Sequence, residues 1–189
     1  MKKTTFAAVM AVALLGTATA GVAQGGGGRG GFGNWPELSD AARVSARYHS
    51  VERAKDDGYV PFAIPQEVGG TLLTIGGDEI TCFDSDHGGM GVHYVRNVDD
   101  HLDPADPEAL VYTVGRNDRL RLVALEYLIP EEHVDPVDPP VLFGQAMHHH
   151  PYLPVYILHV WIWNRNPTGL FADFNPNVPV CPAPPAATS

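Results

Sequence analysis

Between residues 37 and 57, apolar side chains recur every three to four positions, at Leu38, Ala41, Val44, Tyr48, Val51 and Ala54. That period predicts one amphipathic helix over residues 37–57. Pro36 suits a first helical position and Gly58 a stop. Arg43, Arg47, Glu52 and Arg53 fall on the solvent side. After Gly58 the period shortens. Residues 59–64, 71–75, 80–83, 91–95, 110–114, 120–129 and 156–163 read as strands, rich in Val, Ile, Leu and aromatics. Gly88-Gly89 reads as a break before the fourth of them. Residues 115–119 supply a polar turn, so 110–129 reads as a hairpin. One helix followed by strands on hairpin turns predicts an α+β fold. The expected arrangement is an N-terminal helix packed on a curved, roll-like antiparallel β-sheet. A β-barrel with a peripheral helix is the alternative.

Alternation along the strands brings in chemistry. In residues 120–129, Leu122, Ala124, Glu126 and Leu128 share one face, and Val123, Leu125, Tyr127 and Ile129 the other. Both faces are apolar, so this strand is central and covered on both sides. Glu126 is then a carboxylate in an apolar row, which must be protonated, hydrogen-bonded or bound to a cation. His159 shares a face with Ile157, Trp161 and Trp163, and His93 lies within Val92-His93-Tyr94-Val95. Three strands thus each carry one titratable residue in apolar surroundings. If they align, His93, Glu126 and His159 converge in a pocket lined by Tyr94, Tyr127, Trp161 and Trp163. Two His and one carboxylate suit a divalent transition metal, or an acid/base pair in a ligand pocket. A satisfied, purely structural Glu–His pair is the competing reading.

The ends of the chain read differently. Lys2 and Lys3, the apolar run over residues 6–15 and Ala18-Thr19-Ala20 form a signal-peptide pattern over residues 1–23. Its apolar run is too short to span a bilayer, and no later stretch is long and apolar enough. The expected location is therefore secreted or periplasmic, without a transmembrane span in the mature protein. Residues 24–34 read as a Gly-rich flexible tether; their G-x-G-x-x-G lacks the preceding strand that dinucleotide binding needs. Residues 35–181 are expected as a single domain and 182–189 as a disordered tail. Of the 17 Pro, 12 lie from Pro130 onward, so the last third is expected to be ordered mostly by tertiary contacts or not at all. Cys82 and Cys181 are the only cysteines, 99 residues apart and with no C-x-x-C, and in an exported chain they read as a disulfide.

Charge narrows the partners. The chain carries 12 Lys+Arg against 22 Asp+Glu, a net charge of −10. That balance argues against nucleic acid, which needs a basic face. Without Lys2 and Lys3, 10 basic residues face 22 acidic ones. Asp99, Asp100, Asp103, Asp106 and Glu108 form an acidic stretch without EF-hand spacing, and Asp84-Ser85-Asp86 lacks the Glu at position twelve. His148-His149-His150 reads as a weak surface metal site at most, since consecutive residues seldom close a coordination shell. G-x-S-x-G, H-E-x-x-H, C-x-x-C-H and Walker A motifs are all missing.

Several segments together resemble a pattern found in a family of small exported bacterial proteins of unknown function. They are Gly89-Met90-Gly91-Val92-His93-Tyr94-Val95, Leu122-Val123-Ala124-Leu125-Glu126-Tyr127-Leu128-Ile129-Pro130, Leu158-His159-Val160-Trp161-Ile162-Trp163, Asn166-Pro167-Thr168-Gly169-Leu170-Phe171 and Asn175-Pro176. The resemblance implies export and one domain over roughly residues 48–181, and implies no activity. Three functions stay open: an exported module binding a small ligand or metal, an acid/base or metal-assisted enzyme using Glu126 and a His, and a structural or envelope-interaction protein.

Overall fold

The computed structural model describes residues 35–64 and 69–183. The expected signal peptide, the tether and the last residues of the expected tail lie outside them. The predicted single helix is broken in two. Helix α1 spans Pro36–Ser45, a 3-10 turn follows over Ala46–His49, and α2 spans Val51–Asp56. Ser50 causes the break. Its backbone is extended (φ −94°, ψ 116°) and its hydroxyl accepts from the Arg53 N–H, so it caps a new helix instead of continuing the old one. The stripe still faces inward, with Leu38, Ala41, Tyr48 and Ala54 buried.

Among the described residues the strands dominate. They are β1 (Val60–Pro61), β2 (Thr71–Ile75), β3 (Asp78–Ser85), β4 (Gly88–Val95), β5 (Ala109–Val114), β6 (Leu120–Pro130), β7 (Val141–Leu142), β8 (Gln145–Ala146), β9 (His148–His149) and β10 (Val155–Val160). Eight form one antiparallel sheet in the order β2-β3-β4-β5-β6-β10-β9, with β1 beside β4. The ends of this order do not meet, so the sheet is open and the barrel alternative is corrected. The α+β reading holds in its coarse form, with the sheet as the larger part.

Each face of the sheet is covered by a different part of the chain. On one, Val92, Tyr94, Leu110, Tyr112, Leu125, Tyr127 and Leu158 pack against the helical segment's Leu38, Ala41, Tyr48 and Ala54. On the other, Val111, Val123, Ala124 and Trp161 pack under Val178 and Leu170. That cover is a strap, residues 161–181, which runs back over the sheet.

A bulge decides which β6 residue faces where. Val111 pairs with Ala124 and Tyr112 with Leu122, so Val123 is an extra residue. Leu122 consequently joins the helix-side core rather than sharing a face with Glu126. Strand β10 also ends earlier than its pattern suggested, at Val160, and Trp163 turns away to donate its indole N–H to the Ser45 hydroxyl on α1 (3.2 Å).

The strap is fastened at several points. Asn175, fully buried, donates its amide to the carbonyls of Asn164 and Arg165 and accepts from the Asn177 N–H. Its backbone bridges to Gly89, and Gly89 donates to the Val178 carbonyl. Gly88 and Gly89 are therefore not the break that the sequence suggested but part of β4. A Cβ at Gly88 would lie 2.4 Å from the Asn175 carbonyl oxygen, and one at Gly89 2.3 Å from that of Pro179. The expected disulfide joins Cys82 of β3 to Cys181 with Cα atoms 5.8 Å apart. Closing a 99-residue separation stabilises by about 4–5 kcal/mol in the chain-entropy picture.

Candidate metal centre

His93, Glu126 and His159 converge on the strap-covered face. Glu126 and His159 are direct cross-strand partners on β6 and β10. His93 stands on β4, two strands from Glu126, with β5 between them. There Val111 is opposite His93 and Ala109 opposite Glu126. The single methyl of Ala109 leaves room for the two longer side chains to meet above β5. One ligand atom from each of the three residues lies within 4.8 Å of the others, and all three residues are buried.

The separations are longer than a direct charged hydrogen bond and leave room for an ion. His93 Nε2 lies 3.4 Å from Glu126 Oε2, and His159 Nε2 lies 3.3 Å from Glu126 Oε1. A charge-assisted N–H···O bond is shorter, about 2.7–2.9 Å. Around a tetrahedral ion with bonds of about 2.0–2.1 Å, neighbouring ligand atoms stand about 3.3–3.4 Å apart. Moreover His93 Nδ1 and both ring nitrogens of His159 are buried with no hydrogen-bond partner. Unsatisfied buried nitrogens cost stability unless something else binds them.

The surroundings are aromatic. The Phe83 ring meets His93 edge-on at 5.5 Å, and Trp161 lies nearly parallel to His159 at 6.3 Å. Trp161 is thus beside the site, as alternation predicted. Tyr94, Tyr127 and Trp163 belong to the helix side. Tyr94 donates its hydroxyl to Asp78 and Tyr127 donates to the Pro104 carbonyl, while Trp163 packs edge-on against His49. The expected aromatic lining therefore reduces to Trp161, joined by Phe83, which alternation had not singled out.

One member of the site was not legible in advance. Asp173, on the strap, places Oδ1 3.4 Å from His159 Nδ1 and 3.2 Å from His148 Nε2. A carboxylate behind a ligating His fixes the ring and its tautomer. Asp173 lies between Phe171 and Phe174, and an acid flanked by two aromatics in a turn-rich segment was the available signal.

The His148-His149-His150 run is divided among separate partners. His148 faces Asp173, His149 contacts Glu131 (2.6 Å), and His150 Nδ1 accepts from the N–H groups of Tyr152 and Leu153. In the acidic stretch, Asp106 pairs with Arg96, and Asp99 and Asp103 accept N–H groups from their own loop. Glu108 accepts from the Leu128 N–H, and burial pushes its pKa up to about 8. Among the described residues, His93, Glu126 and His159 are the one group of this kind with metal-binding spacing.

Electrostatics separate the two histidines. Burial lowers the pKa of His93 to about 4 against the pull of Glu126, so its ring is neutral and ready to donate a lone pair. Burial also opposes a charge on His159, but Glu126 and Asp173 outweigh it and raise its pKa. Asp173 is itself desolvated, yet His148 and His159 hold its pKa well below the usual carboxylate range. Glu126 and Asp173 thus both favour a proton on His159, against its burial.

No protein-family model matches the chain. No curated protein and no solved structure matches it either.

Proposed function

We propose that this protein binds a divalent transition-metal ion, with His93 Nε2, Glu126 and His159 Nε2 as ligands and Asp173 orienting His159. The observation that carries the reading is the convergence of three ligand atoms within 4.8 Å, with His159 Nε2 buried and making no hydrogen bond. Imidazole and carboxylate donors suit ions such as Zn²⁺, Co²⁺ or Fe²⁺ rather than Ca²⁺. Three protein ligands leave a position for water or a small ligand. Binding is read ahead of catalysis, because the donor set supports an ion and nothing defines a substrate.

Export is part of the same proposal. The apolar N-terminal pattern and the Cys82–Cys181 bond support it, since disulfides persist in oxidising compartments. None of the helices among the described residues is long and apolar enough to cross a membrane. The likeness to small exported proteins points the same way. Co²⁺ titration of untagged protein tests the metal reading. A tetrahedral visible absorption band that saturates at one equivalent, and is lost in Glu126→Gln, supports it. Absence of the band and of stoichiometric Zn²⁺ in elemental analysis refutes it.

A further inference from the structure

The strap has a double role, because it both covers the metal centre and contributes to it. It has little regular structure: after β10 ends at Val160, one isolated bridge, at Asn175, is its only β-pairing among the described residues. Its position depends on a few fastenings. Trp161 donates its backbone N–H to the Leu170 carbonyl and its indole N–H to that of Ala172, Asn175 and Val178 dock on Gly89, and Cys181 is bonded to Cys82. Asp173 lies between the first of these and the last. Through it the strap places a carboxylate 3.4 Å from His159 Nδ1, on the side of the ring away from the Nε2 that faces Glu126.

An open cleft runs along the same strap. Ser85, Asp86 and His87 of the β3–β4 turn form one wall, and Thr168, Asp173 and Phe174 the other. The disulfide ties the strap to β3, the strand that leads into that turn. The covalent bond is therefore one of the ties, beside the docking of Asn175 and Val178 on Gly89, that set the spacing of the two walls. Val178 is the last buried apolar anchor of the strap; beyond it Val180 is exposed, and the disulfide and a hydrogen bond from the Cys181 N–H to Asp84 tie the end to β3.

We propose that the Cys82–Cys181 disulfide is a redox lock on the metal centre. This rests on the metal-binding reading above. While the bond is closed, Asp173 is held against His159 and the cleft walls stay in place, so the ion exchanges slowly. A thiol reductant cleaves the S–S bond, forming two cysteine thiols and leaving as its own disulfide. The strap's end is then free, Asp173 leaves His159, and the ion dissociates.

The test is the rate at which Co²⁺- or Zn²⁺-loaded full-length protein gives up its ion to a chromophoric chelator. Oxidised protein is compared with protein reduced, freed of reductant and capped with iodoacetamide, so that new thiols bind no metal. Capped protein is expected to release the ion at least about tenfold faster, the lower end of what loss of an outer carboxylate costs. Asp173→Asn in the oxidised state is expected to release it comparably fast, with little further gain on reduction. Equal rates in folded oxidised and folded capped protein overturn the proposal. Should circular dichroism show the capped protein unfolded, oxidised Asp173→Asn decides instead. Release at the wild-type rate then overturns the lock, and release at least about tenfold faster sustains it. Oxidised wild type that takes up no ion refutes the metal reading itself, which is a distinct result because no release is then measured.

Discussion

The two faces of the sheet bury polar groups in opposite ways. On the helix side, Tyr59, Tyr94, Tyr112 and Tyr127 are buried, and every hydroxyl has a partner: the Pro107 carbonyl, Asp78, the Tyr48 carbonyl and the Pro104 carbonyl. On the strap side, His93 and His159 are equally buried, and three of their four ring nitrogens have no hydrogen-bond partner. One chain and one sheet thus produce a face whose buried tyrosine hydroxyls are all paired and a face whose buried imidazoles are not. The incompleteness is local: around it, Ala109, Leu128 and Ile157 on one flank and Val111, Val123 and Ala124 on the other pack as an ordinary core. That contrast is what the metal-binding proposal rests on.

The strongest way to break the comparison is to remove the acceptor that unites the three. Glu126→Gln should lower Zn²⁺ affinity by more than about 100-fold, beyond what loss of an outer partner alone costs. By competition titration this is more than about 2.8 kcal/mol. Next is the strap. Gly89→Val places a side chain where the Pro179 carbonyl oxygen would be 2.3 Å from its Cβ. Overpacking of this kind should cost about 2–3 kcal/mol in urea unfolding of the oxidised protein.

A smaller effect follows from protons. The pKa of His159 is raised, so its proton competes with the ion already above pH 6.5. Apparent affinity should therefore be highest above that raised pKa and fall about tenfold per pH unit below it. His93 adds no competition until about pH 4. An affinity independent of pH between 5 and 8 would separate His159 from the ion. The smallest change sharpens the contrast from the other side. Tyr112→Phe leaves the Tyr48 carbonyl without its partner and should cost about 1–2 kcal/mol of stability. Its Zn²⁺ affinity should match wild type, because the loss is confined to the helix side.

What was legible in the sequence follows from strand alternation. His93, Glu126 and His159 were identifiable because each interrupts an apolar row, and their neighbours on paired strands did bring them together. Tyr94 and Tyr127 follow the same rule to the other face, since each directly adjoins a site residue. Where the period of two fails, the reading fails with it. The extra residue Val123 in β6 turns Leu122 to the helix side, and no local pattern announces a bulge. Trp163 departs because β10 stops at Val160, and Ser50 ends a helix that apolar spacing alone would continue. Gly88 and Gly89 look like a chain break but are small because another segment lies against them. Asp173 was beyond sequence reasoning for a related cause: its position depends on the path of an irregular strap, fixed by contacts far away along the chain.

The placement of the cysteines bears on how the molecule is assembled. All of β4, β5, β6 and β10 lies between Cys82 and Cys181. An oxidant that meets a chain whose later half has not been delivered finds one thiol with no mate. Since there are only two cysteines, no wrong internal pairing exists to be reshuffled. Formation of the bond therefore marks that the last segment has arrived. Until then an unpaired Cys82 distinguishes an unfinished molecule from a mature one.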